Sequence, residues 1–160
     1  MMRLFASLLL FALIGYGLWP YYHILQMDTA LSRDDPAALE PLVDLQAIQR
    51  NYKQRLTTGL GLPRPQEGND ALGRLSQGLA RLGDATLEQL ITPTWVQHRL
   101  REATRAATER DPPYLISGIR FAFFESPNRF LIRIGELGGG ATHIRMDRQG
   151  ATWRVTDIID

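Results

Sequence analysis

Three histidines, His23, His98 and His143, are the only imidazoles in the sequence. A helical metal site asks for a second imidazole four residues on, and none of the three has one. His98 with Glu102 comes nearest, but two ligands do not make a metal site. General acid–base chemistry needs two carboxyls converging in a pocket. Asp34 and Asp35 are adjacent, and helix capping is sufficient reason for both. Glu125 sits at a strand end, and Asp157 and Asp160 lie at the C-terminus. There is no cysteine, which excludes thiolate nucleophiles, thiolate metal sites, disulfides and a lipid-modified cysteine together. Lys53 is the only lysine and falls in the polar context of a helix middle. Gly138, Gly139 and Gly140 precede a strand and not a helix, so they read as a hairpin turn and not as a phosphate cradle. No serine has the glycine-flanked context of a nucleophile elbow. These residues assign no catalytic, metal or cofactor role, and the sequence leans away from an enzyme.

Two sets of residues remain as candidates for binding. Arg120, Arg133, Arg145 and Arg154 come from four successive strands and would share one sheet face, with Arg129 and His143 near them. Such a face could hold an anionic headgroup or an acidic partner. The reading favoured over that is a solvated face that discourages sheet-on-sheet association, with Glu125, Glu136 and Asp147 cancelling the field. The second set is apolar: Phe121, Phe123, Phe130, Ile132 and Trp153 from the sheet, with Tyr52 or Trp95 from helices, would line a pocket between the two layers. A formal net charge of +1 provides no global field for nucleic acid.

What must position these residues begins with a hydrophobic N-terminus. Arg3 precedes residues 4–14, where Ser7 is the only polar side chain, and Trp19, Tyr21 and Tyr22 close the segment. Read as an uncleaved anchor, residues 4–22 give roughly 28 Å of helix, enough for a hydrocarbon core of about 30 Å. The aromatics then form an interfacial belt, and Arg3 keeps the N-terminus cytoplasmic with the domain exported. Read as a cleaved signal, Gly15 and Gly17 take the small-residue positions before the cut. The division is thus an anchor or signal over residues 1–22 and a single exported domain over residues 23–160.

Periodicity orders the rest. Pro20 suits the first turn of a helix, with Ile24, Met27 and Leu31 in one stripe. Asp35 with Pro36 opens a short helix that Pro41 ends or kinks. Asp44 caps a helix over residues 45–58 with the stripe Leu45, Ile48, Tyr52 and Leu56. Residues 59–68 read as a loop. A helix over about 70–82, a short one over 85–91, and one from Thr92 or Thr94 to about Ala106 come next. From Tyr114 the period becomes two. Strands are expected over 114–125 with Ile119, Phe121 and Phe123 on one face, 129–135 with Phe130, Ile132 and Ile134 inward, 142–147, and 151–159 with Trp153 and Val155 inward. Helices followed by a four-stranded antiparallel meander make an α+β fold with one sheet face packed on the helices.

The runs Pro20-Tyr21-Tyr22, residues 30–35, Leu42-Val43-Asp44, Arg50, Thr92-Pro93 and residues 153–158 resemble an uncharacterised bacterial family of short, N-terminally hydrophobic proteins catalogued as a domain of unknown function. The resemblance covers almost the whole chain and departs around residues 59–68 and 138–140. It implies a membrane-anchored or exported bacterial protein with no assigned activity. The terminal strand with its Trp is also similar, at the level of fold alone, to cone-shaped nuclear-transport-factor-like or cystatin-like proteins. The resulting expectation is a non-catalytic envelope protein of the bacterial inner membrane. It crosses once through residues 4–22, faces the periplasm or exterior, and has an unknown protein or lipid partner. A cleaved, exported form is the alternative for its location. The alternative function is a small-ligand binder or enzyme with an apolar cone-shaped cavity. A structural subunit of a membrane complex is a third reading, marked by an exposed apolar patch on the membrane-proximal helix.

Overall fold

The computed structural model describes residues 2–58, 89–110, 114–138 and 140–159. The loop expected at 59–68, the helix over 70–82 and most of the short helix over 85–91 lie outside the described residues. The elements run α1 (Met2–Ser32), α2 (Pro36–Leu39), a 3₁₀ turn (Glu40–Leu42), α3 (Leu45–Thr58), α4 (Pro93–Thr108), α5 (Leu115–Gly118), then β1 (Ile119–Ser126), β2 (Arg129–Ile134), β3 (Thr142–Gln149) and β4 (Thr152–Ile159). The four strands pair antiparallel in the order β1-β2-β3-β4. The architecture is the expected α+β one.

Local chemistry sets most boundaries. Asp34, with φ of 59°, ends α1 in a left-handed cap. The Asp35 N–H donates to the Ala30 carbonyl at 3.1 Å and the Asp34 N–H to Leu31 at 3.4 Å, the paired bonds of a Schellman ending. The Asp35 carboxylate then accepts the N–H groups of Ala37 and Ala38 and opens α2, with Pro36 in its first turn. Pro41 converts the chain to 3₁₀ geometry. The Asp44 carboxylate accepts the Ala47 N–H at 2.9 Å at the start of α3, and the Thr92 hydroxyl accepts the Trp95 N–H at 3.2 Å at the start of α4.

Two expectations fail here. Pro20 does not begin a helix but lies inside α1. Its missing N–H removes one helical bond, yet the turn is held from outside by side-chain bonds from Tyr16, Trp19 and Tyr21 to the sheet. The first strand does not begin at Tyr114. Ser117 donates both its backbone N–H and its hydroxyl to the Tyr114 carbonyl, and the Ile116 N–H donates to Asp28 of α1 at 3.1 Å. These bonds hold a helical turn that buries Leu115 before β1 starts. Its last residue, Gly118, packs close: a Cβ there would stand 3.1 Å from Ile134 Cγ2.

The phase of β1 is a third correction. Ile119 pairs with Ile134 and Phe121 with Arg133, so Arg120 is an extra residue. A bulge of one residue reverses the facing of the rest of its strand. Ile119 therefore packs inward, but Phe121 and Phe123 point out, 50% and 37% exposed, while Ala122 and Phe124 pack on the core. β2 and β3 keep the expected facing, and β4 keeps it through Val155, after which a bulge at Thr156 places Asp157 opposite Arg145 and Ile158 opposite Ile144. Phe130, Ile132, Ile134, Ile144, Met146, Trp153 and Val155 are all buried against Ile24, Met27 and Leu31 of α1, Ile48 of α3, and Val96 and Leu100 of α4.

β4 is an edge strand, and α3 closes its free side. Val43 bridges Val155, and the Asp44 N–H donates to the Val155 carbonyl at 2.8 Å. Asn51 donates to the Thr156 carbonyl at 2.9 Å and Arg55 to that of Ile158 at 3.0 Å. An edge that would otherwise recruit another strand is thereby satisfied within the chain.

Candidate functional site

The outer sheet face places the four arginines along a diagonal. Arg120 and Arg133 stand near the β2–β3 turn, with Arg133 beside Phe121 and His143. Arg145 lies mid-sheet beside Leu131 and Asp157, and Arg154 lies near the opposite end beside Asp147. Three arginines of this face have carboxylates at hand. Arg120 Nε is 3.1 Å from Glu136. Arg145 reaches Glu125 at 3.4 Å and Asp157 at 3.5 Å. Arg129 Nε meets Asp147 at 3.0 Å, and that hydrogen bond, reinforced by the charge, raises the Arg129 pKa. The Arg133 guanidinium lies 5.5 Å from the centre of the Phe121 ring. Phe121 and Phe123 rest against each other with ring centres 4.9 Å apart. The face is thus a mixture of cations, their carboxylates and two exposed aromatic rings.

The apolar set does not converge on one lining. Phe130, Ile132 and Trp153 are fully buried on the inner face, where Trp153 meets Phe124 at 5.7 Å and Phe130 at 6.3 Å, both edge-on. Tyr52 and Trp95 pair edge-on at 6.1 Å between α3 and α4. Phe121 and Phe123 are on the opposite side of the sheet, put there by the bulge at Arg120.

Asp157, a terminal carboxylate by its place in the sequence, is a buried one in the fold. It is 3% exposed on β4, ion-paired with Arg55 and facing Arg145. Arg55 is far from it in sequence, so no local spacing announced the pair.

An open polar cleft of about 620 Å³ lies beside α4, lined by Asp34, Gln97, His98, Arg101, Glu102 and Arg105 among others. Asp34 closes α1 with its backbone, and its carboxylate, expected to cap a helix, does not cap one. Its left-handed backbone turns the carboxylate to accept from buried Gln97 at 3.0 Å and to pair with Arg101. Glu102 pairs with Arg99 at 2.9 Å and stands 3.9 Å from His98. No group of three metal-ligating side chains occurs among the described residues. His23 is buried, with Nδ1 3.1 Å from the Trp19 carbonyl.

The most distinctive arrangement is where α1 meets the sheet. From Leu4 to Ile14 its apolar side chains are exposed. Contact with the domain begins at Tyr16, whose hydroxyl donates to the Pro127 carbonyl in the β1–β2 turn. Trp19 Nε1 donates to Ala151 in the β3–β4 turn at 2.9 Å. Tyr21 donates to Ala122 at 3.3 Å and meets the Phe130 ring edge-on at 5.2 Å. The Arg148 guanidinium sits 5.5 Å from the centre of the Tyr16 ring. Residue 22, where hydropathy divides anchor from domain, falls inside this unbroken helix. The aromatic run at 19–22 was the one sequence signal for this collar.

By length and composition, Leu4–Ser32 is a helix that could cross a membrane or serve as a signal sequence. No curated protein and no solved structure matches the chain. Residues 9–99, from within α1 into α4, match the model of a family described as protein of unknown function (DUF2939), and with more than half of its length covered the chain belongs to that family.

Proposed function

We propose that this chain is a non-catalytic membrane protein that holds a small interaction domain outside the cytoplasm on a single, retained N-terminal span. The observation that supports this reading is the double duty of α1. Its first half presents apolar side chains that no part of the described domain covers, with Leu4, Phe5 and Phe11 each more than 70% exposed. Its second half supplies Ile24, Met27 and Leu31 to the core. A segment of the first kind is stable in hydrocarbon, and one of the second only in a folded domain. Arg3 favours a cytoplasmic N-terminus.

The surface we assign to interaction is the outer sheet face. There Arg120, Arg133, Arg145 and Arg154 lie among exposed Phe121 and Phe123, a composition of the kind enriched in binding surfaces. Its chemistry suits an acidic partner or an anionic headgroup. Fractionation tests the anchor. A C-terminally tagged chain should remain in the membrane pellet after alkaline extraction and keep its N-terminal segment by mass spectrometry. A soluble product beginning at Leu18 overturns the proposal.

A further inference from the structure

We infer that the turn end of the sheet, Pro127 and Asn128 with Gly150 and Ala151, sits in the phospholipid headgroup layer of the bilayer that α1 crosses. The inference rests on α1 being a retained span. The hydrocarbon core is about 30 Å thick and needs about 20 helical residues. Residues 2–15, the part of α1 below the first contact with the sheet, supply only roughly 21 Å at about 1.5 Å per residue. Carrying the helix to Tyr22 supplies the missing length, and the level of Trp19, Tyr21 and Tyr22 is then the interface that such aromatics favour. The two hairpin turns are bonded at that level or within two helical turns on its membrane side, through Trp19 to Ala151 and Tyr16 to Pro127. They cannot stand clear of the membrane while the helix fills it.

Side chains at this end suit the polar layer. Asn128, Gln149 and Arg148 are exposed, and Arg148, stacked on Tyr16, has no carboxylate ion pair among the described residues. A guanidinium at the boundary of apolar and polar regions matches a lipid phosphate. Leu18 and Tyr22, 60% and 59% exposed, continue the apolar surface of the span alongside. The other end of the sheet, at Leu137, lies a strand length away, roughly 20 Å at about 3.3 Å per residue.

The absence of native cysteine makes the test direct. Full-length Asn128→Cys, Ala151→Cys and Leu137→Cys variants are each labelled with a fluorophore and reconstituted in phosphatidylcholine vesicles containing phosphatidylglycerol, so that the surface carries the negative potential of an anionic leaflet. The quencher is a nitroxide carried on a lipid headgroup. All three positions are in turns without positive φ, so the labels do not oppose the backbone. Labels at 128 and 151 should be quenched roughly three times more strongly than at 137, because only they lie within the interfacial layer. Equal, weak quenching at all three positions in a chain that resists alkaline extraction overturns the inference and leaves the anchor standing. A label that is shielded from water yet unquenched by the lipid nitroxide points to a protein contact and also overturns it. A chain that washes off the vesicles overturns the anchor and this inference together.

Discussion

Trp153 offers the sharpest test of how the sheet is phased against the helices. It is fully buried, edge-on to Phe124 and Phe130, and its indole Nε1 is buried without a hydrogen-bond partner among the described residues. Truncation to alanine removes the largest side chain of the inner face. Such deletions destabilise by about 3–5 kcal/mol, and the two ring contacts place this site in the upper half of that range. Phenylalanine tells a different story. It keeps an aromatic ring against Phe124 and Phe130 and removes a buried N–H whose lack of a partner costs about 1–3 kcal/mol. The smaller ring gives up roughly 1–2 kcal/mol of packing. The two effects nearly cancel, so Trp153→Phe should cost no more than about 1 kcal/mol. The gap between the variants should be roughly 3 kcal/mol. Urea denaturation of the full chain in detergent, followed by circular dichroism, measures both from the shift in midpoint at constant slope. A loss below about 1 kcal/mol for Trp153→Ala would mean that the ring is not in the core. Equal losses for the two variants would mean that the indole N–H is satisfied, and the cancellation argument would be wrong.

Asp44 should govern part of the acid limb of stability. Burial works to raise its pKa, but the Ala47 N–H, the Gln149 amide and the charges of Arg50 and Arg154 outweigh it and hold the carboxyl below its ordinary range. A depressed acid stabilises the fold above its unfolded pKa, and that contribution is lost as pH falls through the folded value. Asparagine caps a helix equally well, so the stability difference between wild type and Asp44→Asn should shrink below about pH 4; a difference independent of pH in denaturant titrations would refute this. At Asp34, whose φ is 59°, glycine should be more stable than alanine by about 1 kcal/mol, since both lose the contacts to Gln97 and Arg101 and only alanine keeps the backbone strain. Thermal unfolding of the two variants decides it, and alanine at or above glycine removes the strain argument. Held in neutral-lipid nanodiscs, the chain should bind phosphatidylglycerol vesicles at low salt and release them at about 1 M salt, where the Debye length is about 3 Å. Replacing Arg120, Arg133, Arg145 and Arg154 by glutamine should abolish that binding, and co-sedimentation equal to wild type would remove the outer face as an anion surface.

Much of this molecule was legible locally. Asp35 with Pro36, Asp44 and Thr92 mark helix starts because a short oxygen-bearing side chain satisfies N–H groups two or three residues away. The period of two in β2 and β3 reports its own facing because alternate residues necessarily point opposite ways. The N-terminal apolar run reports its own unsuitability for water. All of these signals act over a turn of helix or a few strand residues, within reach of a sequence reading.

What tertiary structure decided is what depends on distant partners. The same alternation that was right for β2 was wrong for β1, because one bulged residue, Arg120, reversed Phe121 and Phe123, and nothing in the run of residues marks where a ladder slips. That reversal separated the aromatic set that sequence placed in one pocket. The arginines could be assigned a face from periodicity, with Glu125 and Glu136 near it, but not which carboxylate meets which arginine, nor that Asp157 joins them, because side chains brought together by strand pairing carry no mutual spacing. Asp157 looked terminal until Arg55 of α3 reached it across the closed sheet edge. Pro20 looked like a helix start until the sheet turns held the helix through it. The sequence by itself determined the apolar character of the N-terminal run, the caps and the order of helices before strands, because these arise from near-neighbour chemistry. The point along α1 where the sheet makes contact, the phase of β1 and the pairing of charges were settled by packing, because each is fixed by atoms far apart along the chain.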